Sequence, residues 1–244
     1  MHSFGLIGFP LGHSFSRNYF REKFEKLGLA DYTYENFPLS SINELPQLLS
    51  DHPFLEGLNV TIPYKKAVLP FLDERSFLPE GLEACNCIRI RNGRLSGFNT
   101  DVIGFENSLR PLLKKGQNAA LILGNGGAAV AIVYVLKKLG ILPHVVSRKK
   151  NNGADLDYSD LNEHVISEHK LIINTTPLGL YPDTQSMPAI PYQFLGTEHL
   201  LYDLIYNPAE TLFLRKGKEQ GTRIKNGEEM LIIQAEESWK VWNQ

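Results

Sequence analysis

The chain has 244 residues, with 25 Lys plus Arg against 27 Asp plus Glu and a net charge of −2. That balance gives no electrostatic reason to expect nucleic acid or a membrane surface as partner, and no apolar run approaches the roughly 20 residues that a bilayer-spanning helix needs. The length fits two small domains or one large one, and the start at Ser3-Phe4-Gly5-Leu6-Ile7-Gly8 has no signal-peptide pattern, so a cytoplasmic protein is expected.

Phe4-Gly5-Leu6-Ile7-Gly8 predicts a first strand, closed by Pro10-Leu11-Gly12. His13-Ser14-Phe15-Ser16 then opens a helix that carries Tyr19, Phe20, Phe24 and Leu27 at core spacing. The two serines read either as caps or as hydroxyls that, beside free helix N–H groups, make a carboxylate pocket without a buried cation. Residues 31–37 alternate like a strand, residues 42–49 form a short amphipathic helix, and residues 55–62 read as a third strand. Pro63 is set to start the next helix. Lys65 falls in its first turn, where the helix dipole repels a cation, so the ammonium either swings into water or is kept for proton transfer. Lys66 reads as the solvated neighbour.

Cys85 and Cys87, two residues apart in an extended segment, point to opposite faces and read as packing residues. The seven histidines show no ligand spacing, so no metal is expected. Residues 88–95 predict a hairpin on the Asn92-Gly93 turn. Asn99-Thr100-Asp101 and Gly104 lead into a helix reaching about Lys115. Asp101 is either the N-cap of that helix or a carboxylate facing Lys65.

The richest stretch follows. Ala119-Ala120-Leu121-Ile122-Leu123 is an unbroken apolar run, as in a strand buried on both faces of a parallel sheet. Gly124-Asn125-Gly126-Gly127-Ala128-Ala129 lets backbone N–H groups approach a phosphate and lets the next helix, to about Leu139, sit close on its strand. Gly140 suits its C-terminal cap. The following strand, Pro143-His144-Val145-Val146, ends in Ser147-Arg148-Lys149-Lys150, where an NAD site would place an acidic residue for the ribose hydroxyl. A cationic tip attracts the 2′-phosphate of NADP, so NADP is the expected cofactor.

Residues 151–160 are polar and read as irregular, followed by a short helix over 161–168 and a buried strand over 170–174. That strand ends in Thr175-Thr176-Pro177-Leu178-Gly179, at the sheet edge where cofactor sites gather. A strand over 200–205, a helix over about 209–220, the turn Asn226-Gly227 and a last amphipathic helix over 228–242 complete the chain. The fold class is therefore α/β.

Taken together these blocks resemble the shikimate dehydrogenase family over most of the chain. The matching residues are His13-Ser14-Phe15-Ser16, Asn59-Val60-Thr61-Ile62-Pro63-Tyr64-Lys65, Asn86, Asn99-Thr100-Asp101 with Gly104, and the run Gly124 to Ala129. They continue in Asn174-Thr175-Thr176-Pro177-Leu178-Gly179, Asp203-Leu204-Ile205-Tyr206-Asn207-Pro208, and Asn226-Gly227 with Met230, Gln234 and Ala235. The resemblance implies an N-terminal α/β substrate-binding domain over 1–102, a Rossmann-type NADP-binding domain over 103–227, and a C-terminal helix, about 228–244, that returns to the first domain. It implies reversible NADP-dependent oxidation of shikimate to 3-dehydroshikimate, in aromatic amino acid (chorismate) biosynthesis, with Lys65 and Asp101 as catalytic pair.

By the same resemblance Ser14, Ser16 and Tyr206 take the substrate carboxylate, and Asn59, Thr61, Asn86, Asp101 and Gln234 take the ring hydroxyls. Gly124, Asn125, Gly126, Gly127, Ala128, Ser147, Arg148, Lys149, Thr175, Leu204, Gly227 and Met230 surround the cofactor. The chain departs from the family pattern at Arg17 for a usual proline, Phe20 for a histidine, Cys87 for a threonine, Ser147-Arg148-Lys149 for Asn-Arg-Thr, and Asn152 for a downstream cation. The partner expected is a small molecule, with a homodimer left open. Alternatives are a quinate/shikimate dehydrogenase of broader specificity and a non-catalytic ligand sensor on the same scaffold, which the retained acid/base pair disfavours.

Overall fold

The computed structural model describes residues 2–11, 15–150 and 153–244. His13, Ser14 and Asn152 lie outside that set. The chain divides into two compact units, Met1–Thr100 with Gln234–Gln244, and Asp101–Ile233.

The first unit is built on β1 (His2–Gly8), α1 (Phe15–Lys26), β2 (Tyr32–Pro38), α2 (Leu45–Asp51), β3 (Leu55–Val60), α3 (Tyr64–Ala67), β4 (Cys87–Arg91) and β5 (Arg94–Phe98). The strands lie in the order β2-β1-β3-β4-β5. β1 is parallel to both β2 and β3, while β4 and β5 are antiparallel additions. The β4–β5 turn has Asn92 at φ 52° and Gly93 at φ 75°, the left-handed pair that a tight hairpin requires.

Apolar residues cover both faces of this sheet. One face packs Ile7, Leu58, Val60 and Ile88 against Leu45 of α2. The other gathers Phe4, Phe20, Phe24, Tyr34 and Trp242, the last contributed by the C-terminal helix. Phe4 stacks on Trp242 with ring centroids 4.8 Å apart, and Phe20 stacks on Tyr34 at 4.7 Å. Trp242 Nε1 donates to the Ile88 carbonyl at 3.0 Å, so the indole is buried without an orphaned donor. Phe20, which replaces the family's histidine, is a core residue of this cluster.

The second unit comprises most of α4 (Thr100–Leu109), then β6 (Ala119–Leu123), α5 (Gly127–Lys138), β7 (Leu142–Ser147), β8 (Leu156–Asp157), α6 (Glu163–Glu168), β9 (Leu171–Asn174), β10 (Leu200–Asp203), α7 (Leu212–Glu219) and β11 (Arg223–Lys225). The last helix is α8 (Glu228–Trp242). The strands form one parallel sheet in the order β8-β7-β6-β9-β10-β11. Counted from the first strand of the unit this is 3-2-1-4-5-6, the order of Rossmann-type sheets, and its switch point lies between β6 and β9.

Two helix boundaries and one unexpected strand depart from the sequence expectation for local reasons. α4 stops at Leu109 and tightens into a 3₁₀ turn at Arg110–Leu112, because Pro111 has no N–H to continue the helix. α7 starts at Leu212, where the Thr211 hydroxyl caps the Leu214 N–H at 3.3 Å. The stretch read as irregular contains β8, a two-residue strand with too little apolar pattern to signal itself; Asp155 anchors its approach, with Oδ2 accepting the Val145 N–H at 2.7 Å. Because β8 reaches only Val146 and Ser147, Pro143 occupies a locally open edge of β7, where its missing donor costs nothing.

Candidate functional site

At the switch point Gly124 follows β6 with φ 106°, and its N–H bonds the Val146 carbonyl at 2.8 Å. A Cβ here would lie 2.9 Å from both Thr175 Oγ1 and Thr176 Cγ2, so the turn is open only to glycine in both conformation and space. Thr175 Oγ1 donates to the Leu123 carbonyl at 2.8 Å, which fixes this side of the cradle. Asn125, Gly126, Gly127 and Ala128 then lead into α5, whose N-cap Gly126 offers no side chain to the free N–H groups. An anion fits such an end by its hydrogen bonds and by the dipole. At the other end Gly140, φ 73°, lets the Ile141 N–H return to the Leu136 carbonyl at 2.9 Å.

The tip of β7 folds back on itself, the Ser147 hydroxyl donating to the Lys149 carbonyl and accepting the Lys149 N–H at 3.3 Å. Arg148 and Lys149 are exposed. Lys150, by contrast, is held 2.8 Å from Asp160, so the cationic tip presents fewer available charges than the sequence alone implied.

Across the switch point Leu204 and Gly227 come together, with Met230 three residues further on in α8. The Leu204 N–H bonds the Asn174 carbonyl at 3.1 Å, and a Cβ on Gly227 would meet the Leu204 carbonyl oxygen at 2.1 Å. Met230 is buried one turn into α8. Beneath them lies a carboxylate whose role the sequence did not disclose. Asp203, fully buried, accepts Asn174 Nδ2 at 3.0 Å, the Ile205 N–H at 3.0 Å and the Thr211 hydroxyl at 2.6 Å. Burial raises its pKa to about 6 against the opposing pull of those three donors. Asn174 Oδ1 in turn accepts the Thr176 N–H at 3.0 Å and its hydroxyl at 2.6 Å, so Asp203 braces the turn that carries Thr175.

In the first unit the candidate substrate residues converge at the C-terminal ends of β1 and β3. Asn59 is the penultimate residue of β3; Thr61 follows the strand and bonds the Ile7 carbonyl at 2.9 Å through its N–H. Lys65 lies in α3, and its carbonyl accepts the Cys85 N–H at 2.8 Å, fixing the backbone beside Asn86. Asn86 joins β3 through the Val60 N–H at 2.8 Å and joins β5 through the Phe98 carbonyl at 3.1 Å. Gln234 of α8 is buried, as is Ser16 in the first turn of α1.

These side chains are set by a buried polar network. Tyr34 donates its hydroxyl to Asn59 Oδ1 at 2.8 Å, and Asn59 Nδ2 donates to Ser238 Oγ at 2.9 Å and to the Asn86 carbonyl at 3.3 Å. Burial pushes the Tyr34 phenol up, against a lowering hydrogen bond from Ser16, so it remains a donor. Asn86 Nδ2 donates to Thr100 Oγ1 at 3.0 Å, and its Oδ1 accepts the Thr100 N–H at 2.6 Å. Tyr34, Thr100 and Ser238 were given no site role from the sequence. A signal existed for Ser238: Met230, Gln234, Ser238 and Trp242 recur every four residues along α8, and a serine in that stripe is a polar group in a buried row.

In the second unit, Asp101 is buried in the first turn of α4, and Tyr206 follows β10 half-buried.

A parallel sheet in 3-2-1-4-5-6 order with a glycine cradle at its switch point, carried in one chain with a separate mixed α/β unit, defines a two-unit dinucleotide-binding protein of Rossmann type. The family model for the shikimate dehydrogenase substrate binding domain matches residues 6–88. The NADP(+) shikimate dehydrogenase of Methanococcus vannielii is 34% identical, covering 98% of this chain and 90% of its own length. That of Carboxydothermus hydrogenoformans is 37% identical with the same coverage. The crystal structure of the Thermus thermophilus shikimate 5-dehydrogenase in complex with NADP(H) and shikimate aligns with TM-score 0.86 and 31% identity, over 99% of this chain and 93% of that one. The chain belongs to the shikimate dehydrogenase family.

Proposed function

We propose that the protein is an NADP-dependent shikimate dehydrogenase, interconverting shikimate and 3-dehydroshikimate in aromatic amino acid (chorismate) biosynthesis. The observation that carries the reading is the Gly124 cradle, where a Cβ would fill the space 2.9 Å from Thr175 Oγ1, followed on β7 by exposed Arg148 and Lys149 in place of an acidic residue. Those residues fit a dinucleotide with a 2′-phosphate: Gly124, Asn125, Gly126, Gly127 and Ala128 would hold the pyrophosphate, Ser147, Arg148 and Lys149 the adenosine phosphate, and Thr175, Leu204, Gly227 and Met230 the rest. When bound, NADP accepts or returns the hydride.

Lys65 and Asp101 are the catalytic pair of this reading. During oxidation the Lys65 amine takes the proton of the reacting hydroxyl as the carbon gives up hydride. In reduction its ammonium stabilises the forming alkoxide and protonates it. Asp101 orients Lys65 and holds a substrate hydroxyl. Ser14, Ser16 and Tyr206 take the carboxylate. Thr61, Asn86 and Gln234 take ring hydroxyls, with Asn59 contributing the remaining lone pair of its Oδ1. A polyol requires such a set, since each hydroxyl buried unpaired costs about 1–3 kcal/mol. The 1–102 segment with the C-terminal helix binds substrate, and 103–227 binds NADP.

Among the described residues no helix is long and apolar enough to cross a membrane. A cytoplasmic location and a small-molecule rather than nucleic-acid partner belong to the same proposal, supported by buried thiols at Cys85 and Cys87 and by a net charge of −2. The test is turnover: shikimate with NADP should give cofactor reduction, and kcat/KM compared for shikimate and quinate with NADP and NAD separates this reading from broader specificity. Tight shikimate binding with no turnover would instead indicate a sensor.

A further inference from the structure

Ser238 is fully buried on α8, and three segments meet at its hydroxyl: it accepts Asn59 Nδ2 at 2.9 Å, lies 3.2 Å from Thr100 Oγ1 and donates to the Gln234 carbonyl at 2.9 Å. The orientation of the Asn59 amide follows from this packing. A carbonyl oxygen only accepts, so the Asn59 atom 3.3 Å from the Asn86 carbonyl is the NH₂ group, and both its hydrogens are spent, one on Asn86 and one on Ser238. Tyr34 holds the amide from the opposite side, at Oδ1. The Thr100 hydroxyl beside Ser238 accepts Asn86 Nδ2, while the Thr100 N–H holds Asn86 Oδ1 at 2.6 Å, so Ser238 reaches the Asn86 amide through one of its two anchors.

We infer that Ser238 is a positioning residue for substrate recognition, setting the side-chain orientation of Asn59 and packing on the Thr100 hydroxyl that holds one end of the Asn86 amide. The inference rests on the shikimate dehydrogenase reading. Asn59, with no donor left over, meets a substrate hydroxyl only as an acceptor, and its angle to that hydroxyl is decided by Ser238 and Tyr34. Replacing Ser238 by alanine leaves one Asn59 N–H without its partner in a buried place, and the amide turns to recover a bond.

The experiment uses the full-length protein as wild type, Ser238→Ala, Tyr34→Phe and the double variant, with steady-state kinetics for both substrates and thermal melts. Ser238→Ala should raise the KM for shikimate about tenfold, the loss expected for one misplaced buried hydrogen bond, with the KM for NADP within about twofold and kcat reduced less than KM is raised. Tyr34→Phe should act in the same direction. Because both hold one amide, the double variant should raise the shikimate KM by less than the product of the singles. An unchanged shikimate KM in Ser238→Ala would overturn the inference, as would a parallel rise for both substrates, which marks general loosening. If Ser238→Ala fails to fold, Ser238→Cys, which keeps the size and replaces the hydroxyl by a weaker acceptor, carries the test with the same expected rise in shikimate KM. Absence of shikimate turnover by the wild type would refute the underlying reading instead, a result visible before any variant is compared.

Discussion

Asn174 Nδ2 donates to Asp203 Oδ1 across 3.0 Å, tying the C-terminal ends of two neighbouring parallel strands by side chains where their backbone ladder ends. Asp203 is thereby a fully buried carboxylate that supports the cofactor edge of the sheet while its pKa stands near 6.

That relationship predicts a pH-dependent stability. An ordinary unfolded Asp releases its proton near pH 4, whereas folded Asp203 keeps it to about 6. Between those values the folded state binds more protons than the unfolded one, so stability falls as pH rises through the window. The loss is of the order of 2–3 kcal/mol and is nearly complete by pH 7. Asp203→Asn preserves shape and removes the titration. Unfolding midpoints of the two proteins, followed from pH 4 to 7.5, should diverge only within the window, the wild type losing ground to the variant as pH rises. A constant difference would mean that Asp203 does not titrate there. His169 and His199, whose pKa values burial lowers, contribute the opposite slope, but equally in both proteins.

Arg148 and Lys150 should part company in cofactor selection. Arg148 is exposed at the tip of β7, while Lys150 is occupied by Asp160 at 2.8 Å. Arg148→Ala should raise the KM for NADP about 10- to 100-fold, the range for charge-assisted bonds, and that for NAD much less. Lys150→Ala should shift NADP by less than about twofold, since an exposed pair is worth little. Equal losses for NADP and NAD in Arg148→Ala would show that the guanidinium only stacks on adenine.

Lys65→Ala should lower kcat about 10²- to 10⁴-fold, the span of general acid–base catalysis, with a smaller change in shikimate KM. Retention of wild-type kcat would remove Lys65 from the chemistry.

Trp242 is 1% exposed, stacks on Phe4 and donates to the Ile88 carbonyl. Trp242→Ala should cost about 3–5 kcal/mol, since it opens a cavity and removes that hydrogen bond. The measurement is urea unfolding followed at the remaining tryptophan, Trp239. A variant as stable as the wild type would show that the end of α8 contributes nothing to the fold of its unit.

Much of the molecule was legible in the residue order. The run from Leu121 to Arg148 announced strand, glycine turn, helix and cationic tip because each is a local requirement: apolar burial on both faces, backbone room at Gly124, a helix end without a side-chain cap. The Asn92-Gly93 hairpin was legible for the same reason, its dihedral angles being a property of two adjacent residues. The paired strand over Leu156–Asp157 was not, because two residues without periodicity pair only when a neighbour supplies the ladder.

The residues that brace the site were silent for a different reason. Ser238 meets Asn59 across 179 positions, and Asp203 meets Asn174 across 29; neither spacing has a repeat, a motif or a local propensity attached to it. Sequence by itself determined the longer elements, the glycine cradle and the cationic residues at the strand tip, since short-range sterics and burial dictate those. Which buried donor answers which acceptor was decided only when the sheets closed, because a hydrogen bond needs two groups brought within about 3 Å in the right direction, and only the tertiary packing sets that distance.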